Sequence, residues 1–337
     1  MSSRLISIGM PIYNGGKSVQ RALDGLLGQT YPHFELIISD NASTDGVTQA
    51  ISEEYAQRDS RIRLTRQPVN LGAVPNFLWV LNEAKGTYFM WAADDDFWSA
   101  NYLEKLAARL DEVPEAILAT PQVQVATTFR NGEKEQEIVP AAPEGGREAI
   151  IEAYIQNFKS CIWIYGLYRT DWVQKHAAEW HNYPPVGGDV VWLWGVILKE
   201  RIVGNSQATF FYTANHNARK ELTYRENVEM CGEMFYHMFR LSWRQLPARD
   251  RWRGLVNACR HYYRHHLFRK DLLITSIRIT RIALLWCWIG LETGVRRTIS
   301  RLLPSFARRG NHIAETGSSA VEAPGYRDSP PEQRHAT

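Results

Sequence analysis

Along the N-terminal part of the chain, short apolar runs alternate with stretches whose apolar residues recur at helical spacing. Leu5-Ile6-Ser7-Ile8-Gly9-Met10-Pro11-Ile12-Tyr13-Asn14 reads as a buried first strand that Pro11 cuts short, followed by a Gly15-Gly16 turn and a helix over about 17–28. The unit then repeats. Phe34 to Ser39 is a second strand, Asp40 to Gly46 a polar loop, and 47–58 a helix. Arg61 to Leu64 is a third strand, Asn70-Leu71-Gly72 a turn, and 73–84 a helix with Phe77, Leu78 and Leu81 on one face. Gly86 stops that helix, and Thr87 to Trp91 forms the fourth strand. Strands alternating with helices of this length predict an α/β fold with a mostly parallel sheet covered on both faces.

In such sheets ligands gather beyond the carboxyl ends of the strands. The polar clusters fall at those ends: Asn14 after strand one, Asp40 to Asp45 after strand two, Asn70 after strand three, Asp94-Asp95-Asp96 after strand four. Three adjacent carboxylates beside an apolar strand repel one another and need a cation or hydrogen-bond donors. The simpler alternative is that Ser99 caps a helix over 99–112 and its positive end eases the charge. Asp40 and Asp45 likewise suit an Asx-turn and a helix cap. Four clusters in register nevertheless point to one crevice, suited to a nucleoside diphosphate whose phosphates a metal neutralises.

The set Pro11-Ile12-Tyr13-Asn14, Asp40-Asn41-Ala42-Ser43-Thr44-Asp45-Gly46, Asn70-Leu71-Gly72 and Asp94-Asp95-Asp96-Phe97-Trp98 resembles the family-2 inverting nucleotide-sugar glycosyltransferases of GT-A fold, over about residues 4–215. The resemblance implies a Rossmann-like GT-A domain with a helical C-terminal extension. It implies that Asp40 holds the nucleotide base, that Pro11, Tyr13 and Asp45 lie around the nucleotide with Asn14 and Asn70, and that Asp94 and Asp95 reach the ribose. It further implies a divalent metal, Mn²⁺ or Mg²⁺, on Asp96 and Asp94. The family pattern D-x-D-D places an acid where Ala93 stands, so which aspartate takes which role stays open.

The second half is expected to carry the acceptor site. Segments 117–120 and 123–127 read as strands, 132–146 as a soluble loop, and Cys161 to Tyr168 as a further strand whose aromatics are core or sugar-stacking. In Gly187-Gly188-Asp189, the acid stands at the mouth of a helix running to about 199, as a cap or as a base. The resemblance implies a general base acting on the acceptor hydroxyl, with Gly188 standing where the family has Glu. It also matches His216, after a strand ending near Asn215, to a position near metal and diphosphate.

Charge separates the chain into two parts. The net charge of the 337 residues is +3, yet 240–310 holds 16 Lys/Arg against Asp250, Asp271 and Glu292, an excess of 13 that leaves the remainder near −10. The uncharged apolar run 282–291, bounded by Arg281, is about half the ~20 residues a bilayer-spanning helix needs. With Trp286 and Trp288 it suits an interfacial helix on an anionic membrane. The expected organisation is therefore a GT-A domain over 1–220 (nucleotide half 1–115, acceptor half 116–220), a basic, membrane-interfacial helical region over 221–305, and a disordered tail over 306–337.

No signal-peptide pattern opens the sequence, and the expectation is a protein peripheral to the cytoplasmic face of the cell membrane. Partners are a nucleotide-sugar, a glycan or lipid-linked acceptor and the membrane, with no nucleic acid. Cys161, Cys231, Cys259 and Cys287 form no C-x-x-C pair, and no G-x-G-x-x-G dinucleotide fingerprint occurs. Two rivals stand: a catalytically inactive sugar-nucleotide or glycan binder, and a nucleotide triphosphatase using Pro11 to Ser18, which lacks only the first glycine of a phosphate-binding loop.

Overall fold

The computed structural model describes residues 4–128, 132–156, 158–184, 187–215, 224–247 and 251. Its first half is three β-α repeats and a fourth strand in sequence order: β1 Ile6–Ile12, α1 Ser18–Leu27, β2 Phe34–Asp40, α2 Val47–Arg58, β3 Ile62–Arg66, α3 Ala73–Asn82 and β4 Tyr88–Trp91. All seven residues of β1 are buried, as a central parallel strand covered on both faces requires. β1 pairs in parallel with β2 and β4, and β2 with β3. The register aligns Ile12 with Asp40 and Asp40 with Arg66, so the strands end together along one edge. β1 continues one residue past Pro11, and the Asn41 amide closes it by donating to the Ile12 carbonyl at 2.9 Å.

The second half adds β5 Phe97–Trp98, α4 Tyr102–Glu112, β6 Ala116–Thr128, β7 Lys134–Val139, α5 Arg147–Gln156, a 3-10 segment Phe158–Tyr165, β8 Leu167–Arg169, α6 Thr170–His176, a second 3-10 segment Ala177–Asn182, α7 Gly188–Lys199, β9 Arg201–Asn215 and α8 Tyr224–Gln245. The sheet of the described residues has nine strands in the order β3-β2-β1-β4-β8-β6-β9-β5, with β7 on β6. β8 runs antiparallel to β4 and β6, while β9 returns parallel to β6. The result is a mostly parallel α/β sheet flanked by helices.

Four local expectations change. Ser99 does not cap a helix: its amide donates to the Thr209 carbonyl at 2.9 Å and its Oγ accepts from the Thr209 amide at 3.0 Å, which draws it into the β5–β9 pairing and delays α4 to Tyr102. The runs 117–120 and 123–127 are one strand, kept continuous past Pro121 by register shifts against β9. The polar stretch 132–146 contains β7, which β6 holds in antiparallel register although five of its six side chains are not buried. Cys161 to Tyr165 coils as a 3-10 segment, and only the residues after Gly166 form a strand. A Cβ at Gly166 would lie 2.4 Å from the Ala119 carbonyl oxygen, so the chain turns tightly against β6 there.

α8, which the sequence assigns to the basic helical region, lies against α7: Trp194 Nε1 donates to the Met238 carbonyl at 3.2 Å and Ser242 Oγ at 3.1 Å. Backbone proximity divides the chain into Met1–Phe268 and Arg269–Thr337, the latter outside the described residues. The interfacial run 282–291 and the tail 306–337 therefore also lie outside them. No helix of the described residues is long and apolar enough to cross a membrane.

Candidate active site

The loops leaving β1 and β2 are tied together. Asn14 takes a left-handed backbone (φ 52°), which asparagine tolerates better than most residues. Its amide donates to Ser43 Oγ at 2.9 Å, and its Oδ1 accepts from the Thr44 amide at 2.7 Å and the Asp45 amide at 3.3 Å. Asp45 caps α2: Oδ1 accepts from the Thr48 amide at 3.0 Å and Oδ2 from the Thr48 hydroxyl at 2.6 Å. The Thr48 hydroxyl bond, with amide bonds beside it, holds the Asp45 carboxyl below its ordinary value. Asp45 Oδ2 also accepts from the Gly16 amide at 3.1 Å, and Thr48 Oγ1 accepts from the same amide at 2.8 Å. This amide is thus committed to an acid where a phosphate-binding loop would turn it to an anion.

Asp40 is buried at the end of β2 and accepts from the Ser43 amide at 2.9 Å. Its other oxygen forms an ion pair with Arg66, which stands opposite it at the end of β3 and also donates to the Ser43 carbonyl at 2.8 Å. Asn70 Oδ1 accepts from Asn41 Nδ2 and from the Gly72 amide, both at 2.8 Å, fastening the third loop to the second. Pro11 is buried in β1, whereas Tyr13 is 47% exposed.

The aspartate triplet follows the buried strand β4. Asp94 lies directly over the β1 loop: a Cβ on Gly15 would sit 2.2 Å from Asp94 Oδ2. Burial, then the Asp95 charge, pushes the Asp94 carboxyl up to about 6. Asp95 is exposed, and its carbonyl accepts from Arg21 Nη2 at 2.8 Å. Asp96 is 1% exposed, and neither carboxylate oxygen has a hydrogen-bond partner. Burial first, then Asp95 and Asp94, raise it well above the carboxylate range, with Arg21 opposing. An unpartnered buried carboxylate is costly. A divalent cation, a hard ion that takes oxygen ligands, would relieve that cost, so this donor set fits Mn²⁺ or Mg²⁺. The described residues contain no ready-made group of three metal-ligating side chains, and His216 lies outside them.

Asp189 occupies the first turn of α7 and lines a cavity of about 290 Å³ with Phe77, Trp91, Tyr165, Trp180 and Gly187. The N-cap is Gly187, with no side-chain cap bond. Gly187 needs its left-handed backbone (φ 79°), and a Cβ there would meet Met234 Sδ at 2.4 Å, so α8 closes over the turn that presents Asp189. Trp91, the last residue of β4, connects this cavity to the strand from which the triplet departs. Tyr165 joins the two sets of acids: burial raises its phenol well above the usual value, and Asp96 and then Asp189 are the next causes.

The structure therefore brings Asn14, Asp40, Asp45 and Asn70 into one bonded loop system, sets Asp94 against its edge, and places Asp96 and Asp189 within electrostatic range of one phenol. Sequence reasoning missed Arg66 and Trp180, and named Tyr165 only among the aromatics of Cys161 to Tyr168 that are core or sugar-stacking. Arg66 was open to inference from pairing β3 with β2 in register, whereas the two aromatics carry no signal that separates them from core residues.

Comparison with known proteins gives a consistent picture. The sequence model of the family described as "Glycosyl transferase family 2" matches residues 7–181. TuaG of Bacillus subtilis, a glycosyltransferase named for teichuronic acid biosynthesis, is 36% identical over 101 residues, 30% of this chain and 40% of its own length. The chain thus spans under half of that relative. Among solved structures, residues 1–349 of TarS from S. aureus superpose with TM-score 0.60 at 18% identity, covering 78% of this chain and 72% of that one. TarS has also been solved with UDP and with UDP-GlcNAc. The mannosyltransferase PcManGT from Pyrobaculum calidifontis, in complex with GDP-Man and Mn²⁺, superposes with TM-score 0.52 at 15% identity over 89% of this chain and 81% of that one. At these identities the structural likeness shows the fold alone.

Proposed function

The chain belongs to glycosyl transferase family 2, and from that premise we propose that it moves a sugar from a nucleoside diphosphate donor, a UDP-sugar, to a glycan or lipid-linked acceptor with inversion. The observation that carries the reading is Asp96, a buried carboxylate with both oxygens unpartnered at the carboxyl edge of a parallel sheet. Asp40, steadied by Arg66, takes the base. Asn14, Asp45 and Asn70 hold the loops around the nucleotide, where Pro11 and Tyr13 also lie, and Asp94 and Asp95 meet the ribose. Asp96 holds the divalent metal with Asp94 and, from outside the described residues, His216. When bound, that ion supplies the positive charge that neutralises the departing diphosphate.

The reaction is one displacement. The acceptor oxygen forms a bond to the anomeric carbon while the bond from that carbon to the diphosphate oxygen breaks. The acceptor proton passes to the Asp189 carboxylate, and the nucleoside diphosphate carries away the electron pair. A carboxylate with pKa ~4 is a weak base in water, so the proton moves late, as the new bond forms. The basic stretch beyond α8 attaches the enzyme to anionic lipid at the cytoplasmic face.

Ala93 and Gly188, standing where the family has acids, favour a second reading as an inactive binder. One assay separates the two: UDP release from UDP-sugars with Mn²⁺ or EDTA, in wild type, Asp96→Ala and Asp189→Ala. Transfer predicts metal-dependent release that falls at least a hundredfold in each variant. A wild type that releases no UDP with any donor contradicts it.

A further inference from the structure

The cavity beside Asp189 has a wall unlike the rest of the site. Trp180 stacks on Trp192 (centroids 6.0 Å, interplanar 15°) and meets Trp91 and Phe77 edge-on at 5.8 Å each. Trp91 is pinned in turn by its Nε1, which donates to the Phe77 carbonyl at 3.0 Å. Trp91 is fully buried and backs the wall, so the edge open to a ligand comes from Phe77 and Trp180, held in place before any ligand arrives. A pyranose has the matching division: an apolar C–H face and a rim of hydroxyls. An aromatic wall ending in one carboxylate buries the first and accepts a proton from the second. The volume, about 290 Å³, is near the lower end of ligand pockets, on the order of 300 to 1,000 Å³. A carboxylate or phosphate on the ring would lose its hydration against this wall and face the Asp189 carboxylate, so both terms oppose an anionic sugar.

Building on the glycosyltransferase reading above, we propose that the Phe77, Trp91, Trp180 and Asp189 cavity seats an uncharged pyranose ring and selects against sugars charged at that position. The ring belongs either to the donor or to the acceptor, and the test has an arm for each. Ala73 lines the cavity from the exposed first position of α3, so Ala73→Phe fills the space without removing a core contact. Trp180→Phe trims the wall and serves as the second variant, each checked for an unchanged far-UV spectrum and cooperative melting.

Binding is read by calorimetry with Mn²⁺ present, using UDP, UDP-glucose and UDP-glucuronic acid for the donor arm. Methyl glucopyranoside and methyl glucuronide, added over saturating UDP, serve the acceptor arm, and tryptophan fluorescence is a second readout. In whichever arm the cavity serves, wild type prefers the neutral sugar at least tenfold. Ala73→Phe there lowers the affinity for the neutral sugar relative to UDP at least tenfold, and Trp180→Phe diminishes the fluorescence change. Either arm responding supports the assignment. UDP binding with both arms unmoved within twofold, or uronate bound as well as the neutral sugar in the responding arm, overturns it. A wild type that binds no UDP sinks the nucleotide-sugar reading as well, and so is a distinct result.

Discussion

Neutralising Asp94 should stabilise the metal-free protein, and the gain should depend on pH. The fold raises this carboxyl from 3.8 to about 6 through burial and the Asp95 charge. Each pH unit of such a difference corresponds to ~1.4 kcal/mol. The native state holds the proton more tightly than the unfolded chain. The cost of the charge is therefore absent below the unfolded value, grows as pH rises, and is complete above the folded value. It comes to about 3 kcal/mol at pH 7.5 and about half that at pH 5, both upper figures because the side chain keeps some contact with water. Asp94→Asn should recover up to that amount, against the usual destabilising sign of a point substitution.

The assay is urea unfolding of wild type and Asp94→Asn in EDTA at both pH values, repeated with Mn²⁺ and UDP. With ligand at about a hundred times its dissociation constant, wild type should gain ~2.7 kcal/mol, and the variant markedly less. No gain for Asp94→Asn in EDTA, or a gain equal at the two pH values, would show that the buried Asp94 charge carries no such cost.

Three further substitutions probe the scaffold around the acids. Gly15→Ala puts a methyl group 2.2 Å from Asp94 Oδ2 and 2.8 Å from Val19 Cγ2; calorimetry should show Mn²⁺-dependent UDP affinity reduced about tenfold or more, ~1.4 kcal/mol, with folding retained. Gly187→Ala combines a positive φ with the Met234 contact and should lose about 1 to 3 kcal/mol in denaturant unfolding, with turnover falling more than donor affinity as Asp189 shifts. Asp45→Ala removes the α2 cap and should cost ~1 kcal/mol, a drop of roughly 2 to 4 °C in melting temperature.

The parallel half of the fold was legible because its signals are local. Buried strands are continuous apolar runs, Gly46 and Gly72 mark the turns before α2 and α3, and α2 spans Val47–Arg58 as its pattern predicts. The second half was less legible because tertiary pairing overrides pattern there. The Lys134–Val139 stretch is polar enough for a loop and becomes a strand only because β6 offers it a partner. Cys161 to Tyr168 alternates like a strand, but close approach to β6 at Gly166 leaves room for only three strand residues.

The candidate site divides in the same way. The aspartates and asparagines announce themselves as clusters at strand ends, whereas the Arg66 pair with Asp40 exists only in the sheet register. The aromatic wall exists only once α3, β4 and the segment Ala177–Asn182 are packed together. Asp40 and Asp45 fill the local turn and cap roles that their side-chain chemistry alone would dictate.

Sugar transfer as proposed requires Asp40, Asp94 to Asp96 and Asp189 to face one hollow that holds a metal-bound nucleotide. Anomalous diffraction from crystals grown with Mn²⁺ and UDP tests it most directly. A manganese peak is expected within coordination distance of the Asp96 carboxylate, with the uracil against Asp40 and the diphosphate pointing toward the Asp189 cavity. A peak away from the aspartate triplet, or a nucleotide bound on another face of the sheet, would contradict it.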